Sequence, residues 1–405
     1  MSVRFAGRMD VMRASDIREL LKITERPEVI SFGGGLPAPE SFPTEELMAV
    51  AAEVLSTQGA RALQYSTTEG HRGLREIVAS RMNATLGTAV QASGILITHG
   101  SQQGLDLTGK IFLDEGDEVL CESPTYLAAI NALLAFQPRF VEVPTDDEGM
   151  IPSELERCLD RSTRARLIYV IPNFQNPSGR TWSLERRVAL LEAAERRGLV
   201  VVEDDPYGQL CYEGVTPPAL LALAGTGTVV YLSTFSKIFC PGMRIGWLAA
   251  PPAIYEKYVL AKQGADLQTS TFSQALLYAY LTRYDIDAGI RRIRDLYGRR
   301  RDVMLRAIER EFPPGVRWTR PRGGLFLWVT LPAHVGARDV LARCLERDVA
   351  FVPGGSSFPN GGHENTMRLN FSNMPEERIV EGIARMGAVL RGMIGGDQGT
   401  RPAAA

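Results

Sequence analysis

No two of the five cysteines, at 121, 158, 211, 240 and 344, stand in a CxxC pair. Their odd number argues against a complete disulfide framework, and scattered thiols point to a reducing, cytoplasmic setting. The four histidines, at 71, 99, 334 and 363, never fall at ligand spacing, so the sequence contains no metal motif. Neither sign of charge is in excess: 45 basic residues face 47 acidic ones, a formal net charge of −2. That balance favours neither nucleic acid nor a membrane surface. No apolar run is long enough to span a bilayer. The opening stretch MSVRFAGRMDVMRASDIREL has no apolar core and carries acids, unlike a secretory signal. Internal repeats are absent too.

What remains is a chain of 405 residues, 45% hydrophobic and 23% charged, in the proportions of two or three globular domains. Residues 1–30 read as an N-terminal arm with a short lid helix over 15–22, Ser15 being its N-cap. GGGLPAPESFP (33–43) is too rich in glycine and proline for regular structure. After residue 70, strand and helix patterns alternate. GILIT (94–98), DEVLCE (117–122), RLIYVIP (166–172), LVVVEDD (199–205) and TVVYLS (228–233) read as strands. Helices are expected over 100–113 and 183–198, the second capped by Ser183 and stopped at Gly198. Apolar runs joined by helices predict an α/β fold with a mostly parallel sheet covered on both faces. Past residue 285 the texture changes. A charged amphipathic helix over 291–311 precedes GGLFLWVTLP (323–332), DVAFVPG (348–354) and TMRLNFS (366–372), the strands of a smaller sheet. The expected organisation is an arm over 1–30, a mainly large domain over 31–285 whose first part contributes to the small domain, a small domain over 290–391 and a disordered tail over 392–405.

In an open parallel sheet, ligands bind beyond the carboxyl ends of the strands. Polar segments follow strand after strand there: HGSQQ, SPTY, NFQNPSG, DDPY and TFSK. Gly100-Ser101-Gln102 opens a helix and offers backbone N–H groups to an anion, although an ordinary N-cap is the simpler alternative. Thr234, Ser236 and Arg244 add hydroxyls and a permanent cation, with a surface ion pair as the alternative for Arg244. Lys237, between Ser236 and the apolar Ile238-Phe239, suits a desolvated nucleophile that forms a Schiff base; most lysines merely snorkel. Asp204 and Asp205 end an apolar strand. Asp205 before Pro206 reads as a helix N-cap, which leaves Asp204 free for a ligand. A lysine for a Schiff base and an aspartate for a pyridinium nitrogen are the two groups pyridoxal phosphate needs.

NFQNPSG (173–179), DDPY (204–207), TFSK (234–237) with an arginine seven residues on, and MRLNFS (367–372) together resemble the fold-type I pyridoxal-phosphate aminotransferases of class I/II. ASDIRELLK, SFGGGLPAPESFP, LQYSTTEG, GSQQGLDL, QGADLQT and AFVPGGSSF look closer still to the 2-aminoadipate (LysN-type) and kynurenine/aminoadipate branch. The resemblance covers about residues 10–391. It implies a mostly parallel seven-stranded large-domain sheet between helices, a smaller α+β domain, and transfer of an amino group from 2-aminoadipate, glutamate or an aromatic or leucine-like donor to an acceptor such as 2-oxoglutarate. By the same resemblance Lys237 bonds the cofactor aldehyde, Asp204 pairs with the ring nitrogen and Tyr126 stacks on the ring. Asn176 and Tyr207 bond the phenolic oxygen. Ser101, Gln102, Thr234, Ser236 and Arg244 hold the phosphate, and Tyr65 reaches that of the neighbouring subunit in a homodimer with interfacial sites. Arg368 grips the substrate α-carboxylate, Gly34 and Gly35 line the pocket, and Arg18, assisted by Ser15, meets a distal carboxylate. For Arg18 a solvated helix face is the alternative. Thr234 stands where the branch usually has serine and keeps the hydroxyl.

Three other readings stay open on the residues. A racemase, decarboxylase or lyase would use the same cofactor and lysine. A transcription regulator would carry this pattern behind a DNA-binding module, but the pattern begins within about 15 residues of the first methionine. A dinucleotide-binding oxidoreductase would need GxGxxG after a strand, whereas GTG at 225–227 precedes one.

Overall fold

The computed structural model describes residues 3–12, 26–224 and 227–395. The expected lid helix, with Ser15 and Arg18, lies outside the described residues, as do residues 396–405 of the tail; residues 392–395, expected to be disordered, instead form the last turn of the helix Glu376–Gly395. The central sheet is made of short apolar runs. In chain order the strands are β1 (Ile30–Ser31), β2 (Ile95–Thr98), β3 (Glu118–Ser123), β4 (Arg139–Asp146), β5 (Gly149–Met150), β6 (Ala165–Val170), β7 (Val200–Asp204), β8 (Val229–Thr234) and β9 (Gly246–Ala249). The sheet order is β2-β9-β8-β7-β6-β3-β4-β5. From β8 through β4 every pair is parallel. Only β9, inserted between β2 and β8, and the two-residue arm β5 run against their neighbours. The core is thus the mostly parallel seven-stranded sheet that the resemblance implies, extended by β5.

Side chains alternate across this sheet, as a strand's period of two requires. Val119, Leu167, Tyr169, Val202, Val230 and Leu232 join one buried cluster, while Leu120, Ile168, Val170, Val201 and Val229 join the other. Both faces are dry because helices cover them, including Gly100–Phe112 and Leu184–Arg197. The second of these is capped by Ser183, which accepts from Arg186 N, and ends at Gly198 in the left-handed conformation, as the sequence predicts.

Five short strands follow: β10 (Arg317–Trp318), β11 (Phe326–Thr330), β12 (Val349–Ala350), β13 (Val352–Pro353) and β14 (Thr366–Asn370). An antiparallel sheet of order β10-β11-β14-β13 forms as expected. DVAFVPG is divided, however: its first half, β12, pairs with β1 instead, which ties residues 30–31 to the C-terminal part of the chain. The long helix Ile286–Glu311 begins earlier than the expected 291, because Asp285 accepts from the backbone N–H groups of Asp287 and Ala288. β4, β9 and the helices Thr44–Ala62, Arg72–Leu86, Pro252–Asp266 and Thr271–Arg283 are additions to the sequence reading. β4 is half-buried and interrupted by Pro144, and β9 has four residues. Neither carries the long apolar run that marked the central strands.

Arg187 pins the loops around the upper end of the sheet. Its guanidinium is fully buried and donates to the carbonyls of Pro172 (3.0 Å) and Pro218 (3.1 Å) and to Asn173 Oδ1 (2.5 Å). It is also the cation facing buried Glu203 and Asp205. Arg187→Ala is expected to cost about 3–5 kcal/mol, the cost of leaving buried charges uncompensated. Urea unfolding followed by tryptophan fluorescence measures it, and a loss below about 1 kcal/mol would contradict this role.

Candidate active site

Lys237 and Arg244 stand seven residues apart because the chain reverses between them. β8 ends at Thr234, and β9 returns antiparallel with Thr234 opposite Gly246. Phe235 N donates to Ile245 O at 3.0 Å and closes the hairpin. Arg244 takes a left-handed backbone, φ 53°, a conformation that non-glycine residues hold only when their surroundings impose it. The turn sends its guanidinium back toward the start of helix Gly100–Phe112. Nη2 donates to His99 O at 3.2 Å, and Nη1 lies 3.4 Å from Ser236 Oγ. Ser236 Oγ and Thr234 Oγ1 are 2.8 Å apart, and both residues are buried. No side chain caps that helix, so its first N–H groups stay available. Gly246 makes the close approach: a Cβ there would stand 2.6 Å from Gly100 C and 2.7 Å from Ser101 N. Behind the cup, His99 Nδ1 lies 3.1 Å from Asp266 Oδ2, and the fully buried Lys262 donates to the same carboxylate at 2.8 Å. Hydroxyls, a helix N-terminus and an exposed arginine thus form an anion cup.

β7 ends at the buried Asp204, and the buried Asp205 follows it with its side chain toward the opposite face of the sheet. Asp205 is satisfied: it accepts from Tyr231 Oη (2.9 Å) and from Gly208 N (2.8 Å). It therefore caps a turn over 205–208 and not the helix that the sequence suggested, since no helix follows there. Asp204 is different. Oδ2 accepts from Tyr169 Oη at 2.9 Å, whereas Oδ1 is buried with no partner. Burial, reinforced by the charge of Asp205 and opposed by the Tyr169 bond, lifts its carboxyl to about 7.

Opposite the acids, Arg368 enters from β14. It is 4% exposed, and its Cζ lies 4.2 Å over the ring of Phe326. Nη1 donates to Asn176 Oδ1 (2.9 Å) and Nη2 to Gly33 O (2.6 Å), while Nε is buried and unpaired. Burial lowers this guanidinium to about 10. Asn176 Nδ2 lies 3.4 Å from Tyr207 Oη. The loop carrying Asn176 is folded by Gln175, whose amide donates to Pro124 O and accepts from Ser178 N. Lys237 Nζ donates to Gly35 O at 2.7 Å. Burial first, and then the charges of Arg368 and Arg244, depress this amine to about 8. Tyr126 lies close enough to Tyr207 and Arg368 to influence both electrostatically.

Most residues singled out in the sequence therefore converge: Ser101, Thr234, Ser236 and Arg244 around the cup, and Lys237, Asn176, Tyr207, Arg368 and the segment with Gly34 and Gly35 around the cleft. Gln102, in the first turn of its helix, is exposed and donates to Ala128 O at 3.2 Å. Tyr65 is 79% exposed and contributes nothing to the site of its own chain. Tyr169, Phe326 and Gly33 were not anticipated, because a tyrosine in one strand and a phenylalanine in another carry no local mark of what they touch.

A phosphorylated pyridine aldehyde fits this donor set: the cup is shaped and charged for a phosphate, the depressed lysine for an aldehyde, and the unpaired Asp204 Oδ1 for a protonated ring nitrogen. Among the described residues no cluster of histidine, cysteine or acid can hold a metal, and no helix is long and apolar enough to cross a membrane.

The chain's sequence matches the profile of the family described as aminotransferase class I and II over residues 27–386. It is 46% identical over 392 residues to a 2-aminoadipate transaminase of Thermus thermophilus, covering 96% of each chain. It is 44% identical over 384 residues to aromatic-amino-acid aminotransferase 1 of Thermococcus litoralis, covering 94% of this chain and 92% of that one. Its structure superposes with a TM-score of 0.91 on LysN, the α-aminoadipate aminotransferase of Thermus thermophilus solved with N-(5′-phosphopyridoxyl)-L-leucine, at 45% identity and over 96% and 98% of the two chains.

An amine must be neutral to attack an aldehyde. Below its pKa Lys237 is protonated and inert, so capture of pyridoxal phosphate by the apoprotein is expected to rise with pH, through a midpoint of about 8, and then level off. An ordinary lysine would keep rising toward roughly 10.4. Stopped-flow absorbance across pH 6–10 reads the midpoint, and a rate still climbing at the alkaline end would contradict the depressed amine.

Proposed function

The chain belongs to the pyridoxal-phosphate-dependent class I and II aminotransferases, and from that premise we propose that it moves the α-amino group of 2-aminoadipate, glutamate or an aromatic or leucine-like amino acid to a 2-oxo acid such as 2-oxoglutarate. The observation that carries the site assignment is Lys237 Nζ, depressed to about 8, in one cleft with the unpaired oxygen of Asp204 and the unpaired Nε of Arg368. When bound, the cofactor supplies an electron-poor ring that accepts charge from the substrate's Cα.

The remaining work is done by side chains. Lys237 Nζ takes the Cα proton and later returns one, and its low pKa lets it act as both base and acid near neutrality. Asp204 holds negative charge at Oδ1 and keeps the ring nitrogen protonated. Arg368 binds the substrate α-carboxylate. Nη1 and Nη2 are already anchored on Asn176 and Gly33, which fixes the plane of the guanidinium and leaves Nε to donate. Asn176 and Tyr207 orient the phenolic oxygen, and Tyr126 covers the ring. Ser101, Gln102, Thr234, Ser236 and Arg244 hold the phosphate, while Gly34 and Gly35 leave room for the substrate.

Arg18, with Ser15, is assigned to the distal carboxylate of acidic donors on the family resemblance alone. The same resemblance makes the enzyme a homodimer in which Tyr65 completes the partner's phosphate cup. Support comes from the exposure of Tyr65, Leu63 (71%), Met48 (67%) and Leu267 (59%) in the single chain. Free cysteines among the described residues suit a cytoplasmic enzyme. We take 31–285 as the main cofactor domain and 290–391 as the small one.

Purified enzyme titrated with amino acids tests the reading. The visible absorbance should bleach with 2-aminoadipate and glutamate and return with 2-oxoglutarate, and Lys237→Ala should slow turnover by at least about 10²–10⁴-fold. A colourless protein that takes up no cofactor, or a coloured one that never bleaches, contradicts it.

A further inference from the structure

The two acids at the end of β7 are held in parallel fashion by tyrosines from the strands on either side. Tyr169 of β6, paired in register with Val202, reaches two residues along β7 to Asp204. Tyr231 of β8, paired with Glu203, reaches two residues along to Asp205. Both phenols are buried, at 1% and 2% exposure, and both bonds are 2.9 Å. The pairs differ in what else they meet. Asp205 also accepts from Gly208 N and faces the buried Arg187, so its charge is compensated inside the protein. Asp204 meets no cation, and its second oxygen has no partner.

We propose that Tyr169 is a positioning residue for the cofactor: its hydroxyl holds one oxygen of Asp204 so that the carboxylate stays ionised and presents the other oxygen to the ring nitrogen. The inference rests on the assignment of Asp204 under the proposed function. A neutral donor is the partner this task requires. It stabilises the anion without neutralising it, so the negative charge remains for the protonated ring nitrogen. An arginine in its place would compensate the carboxylate and compete with that proton. Without the phenol, burial and the neighbouring Asp205 would push the carboxyl to take its own proton, and the anionic acceptor would be lost.

The test uses pyridoxamine phosphate as the probe, since it carries the ring and phosphate but no aldehyde for Lys237. Its dissociation constant is measured by fluorescence on the apoenzymes of wild type, Tyr169→Phe, Tyr231→Phe and Asp204→Ala at neutral pH, alongside their thermal midpoints. Tyr231→Phe removes the same group from an equally buried site and serves as the control for a purely structural role. The expected result is about tenfold weaker binding or more in Tyr169→Phe, unchanged binding in Tyr231→Phe, and a comparable drop in thermal midpoint for both. Equal binding by Tyr169→Phe and wild type, with Asp204→Ala still impaired, overturns the role of Tyr169 and leaves that of Asp204 standing. Unchanged binding in Asp204→Ala overturns the assignment beneath it. A loss shared equally by the two tyrosine variants also overturns the proposal, because it would mean that the hydroxyls only stabilise the fold. Should Tyr169→Phe not fold, Tyr169→His, which returns a ring N–H toward Asp204, takes its place and is expected to bind more tightly than Asp204→Ala; binding no better than that variant overturns the proposal.

Discussion

Asp204 is buried at 1% exposure, between the buried acids Glu203 and Asp205 and with no cation paired to it, at the end of a strand that begins with three valines. An isolated carboxylate in such a place is costly, and a protein tolerates it only where something it binds brings the missing charge. The rest of the site follows from that constraint. The phenol of Tyr169 limits the cost without removing the charge, and the far oxygen is left bare. The cations of the site, Lys237, Arg244 and Arg368, stand on other elements, around the cleft that the carboxylate faces. A cationic ring in that cleft would supply the charge that Asp204 lacks.

Backbone contacts set the geometry that charge alone could not. The β8–β9 hairpin puts Lys237 and Arg244 on one loop, and the lack of a side chain at Gly246 lets that loop press against the first turn of helix Gly100–Phe112. From the other side, Gly33 O and Gly35 O meet Arg368 and Lys237. Residues from opposite ends of the chain, 33 and 368, thereby define a single pocket wall. β1 pairing with β12 places that N-terminal segment beside the small sheet, so movement of one would carry the other.

The sequence made much of this legible because strands, helix starts and the chemistry beyond strand ends all leave local traces. RLIYVIP, LVVVEDD and TVVYLS read as strands from their apolar runs, and the polar segments after them hold nearly all of the site. What stayed hidden is non-local. Nothing in GWLA announces an antiparallel strand that completes the anion cup, and nothing in RLIYV announces that its tyrosine reaches the neighbouring strand's acid. Asp205-Pro206 resembles a helix start, but the backbone forms a turn that the same carboxylate closes. The division of DVAFVPG between two sheets is likewise invisible, since one half pairs with residues 30–31 at the other end of the chain and the other half with β14.

Only five of the 45 basic residues are lysines, at 22, 110, 237, 257 and 262, which makes the central assignment open to a direct measurement. Borohydride reduction of the holoenzyme fixes a phosphopyridoxyl group on whichever lysine carries the cofactor, and peptide mass spectrometry then locates it. A single stoichiometric tag on Lys237 is the predicted result. A tag on the fully buried Lys262 or on any other lysine, or no tag at all, would contradict the account from the hairpin onward.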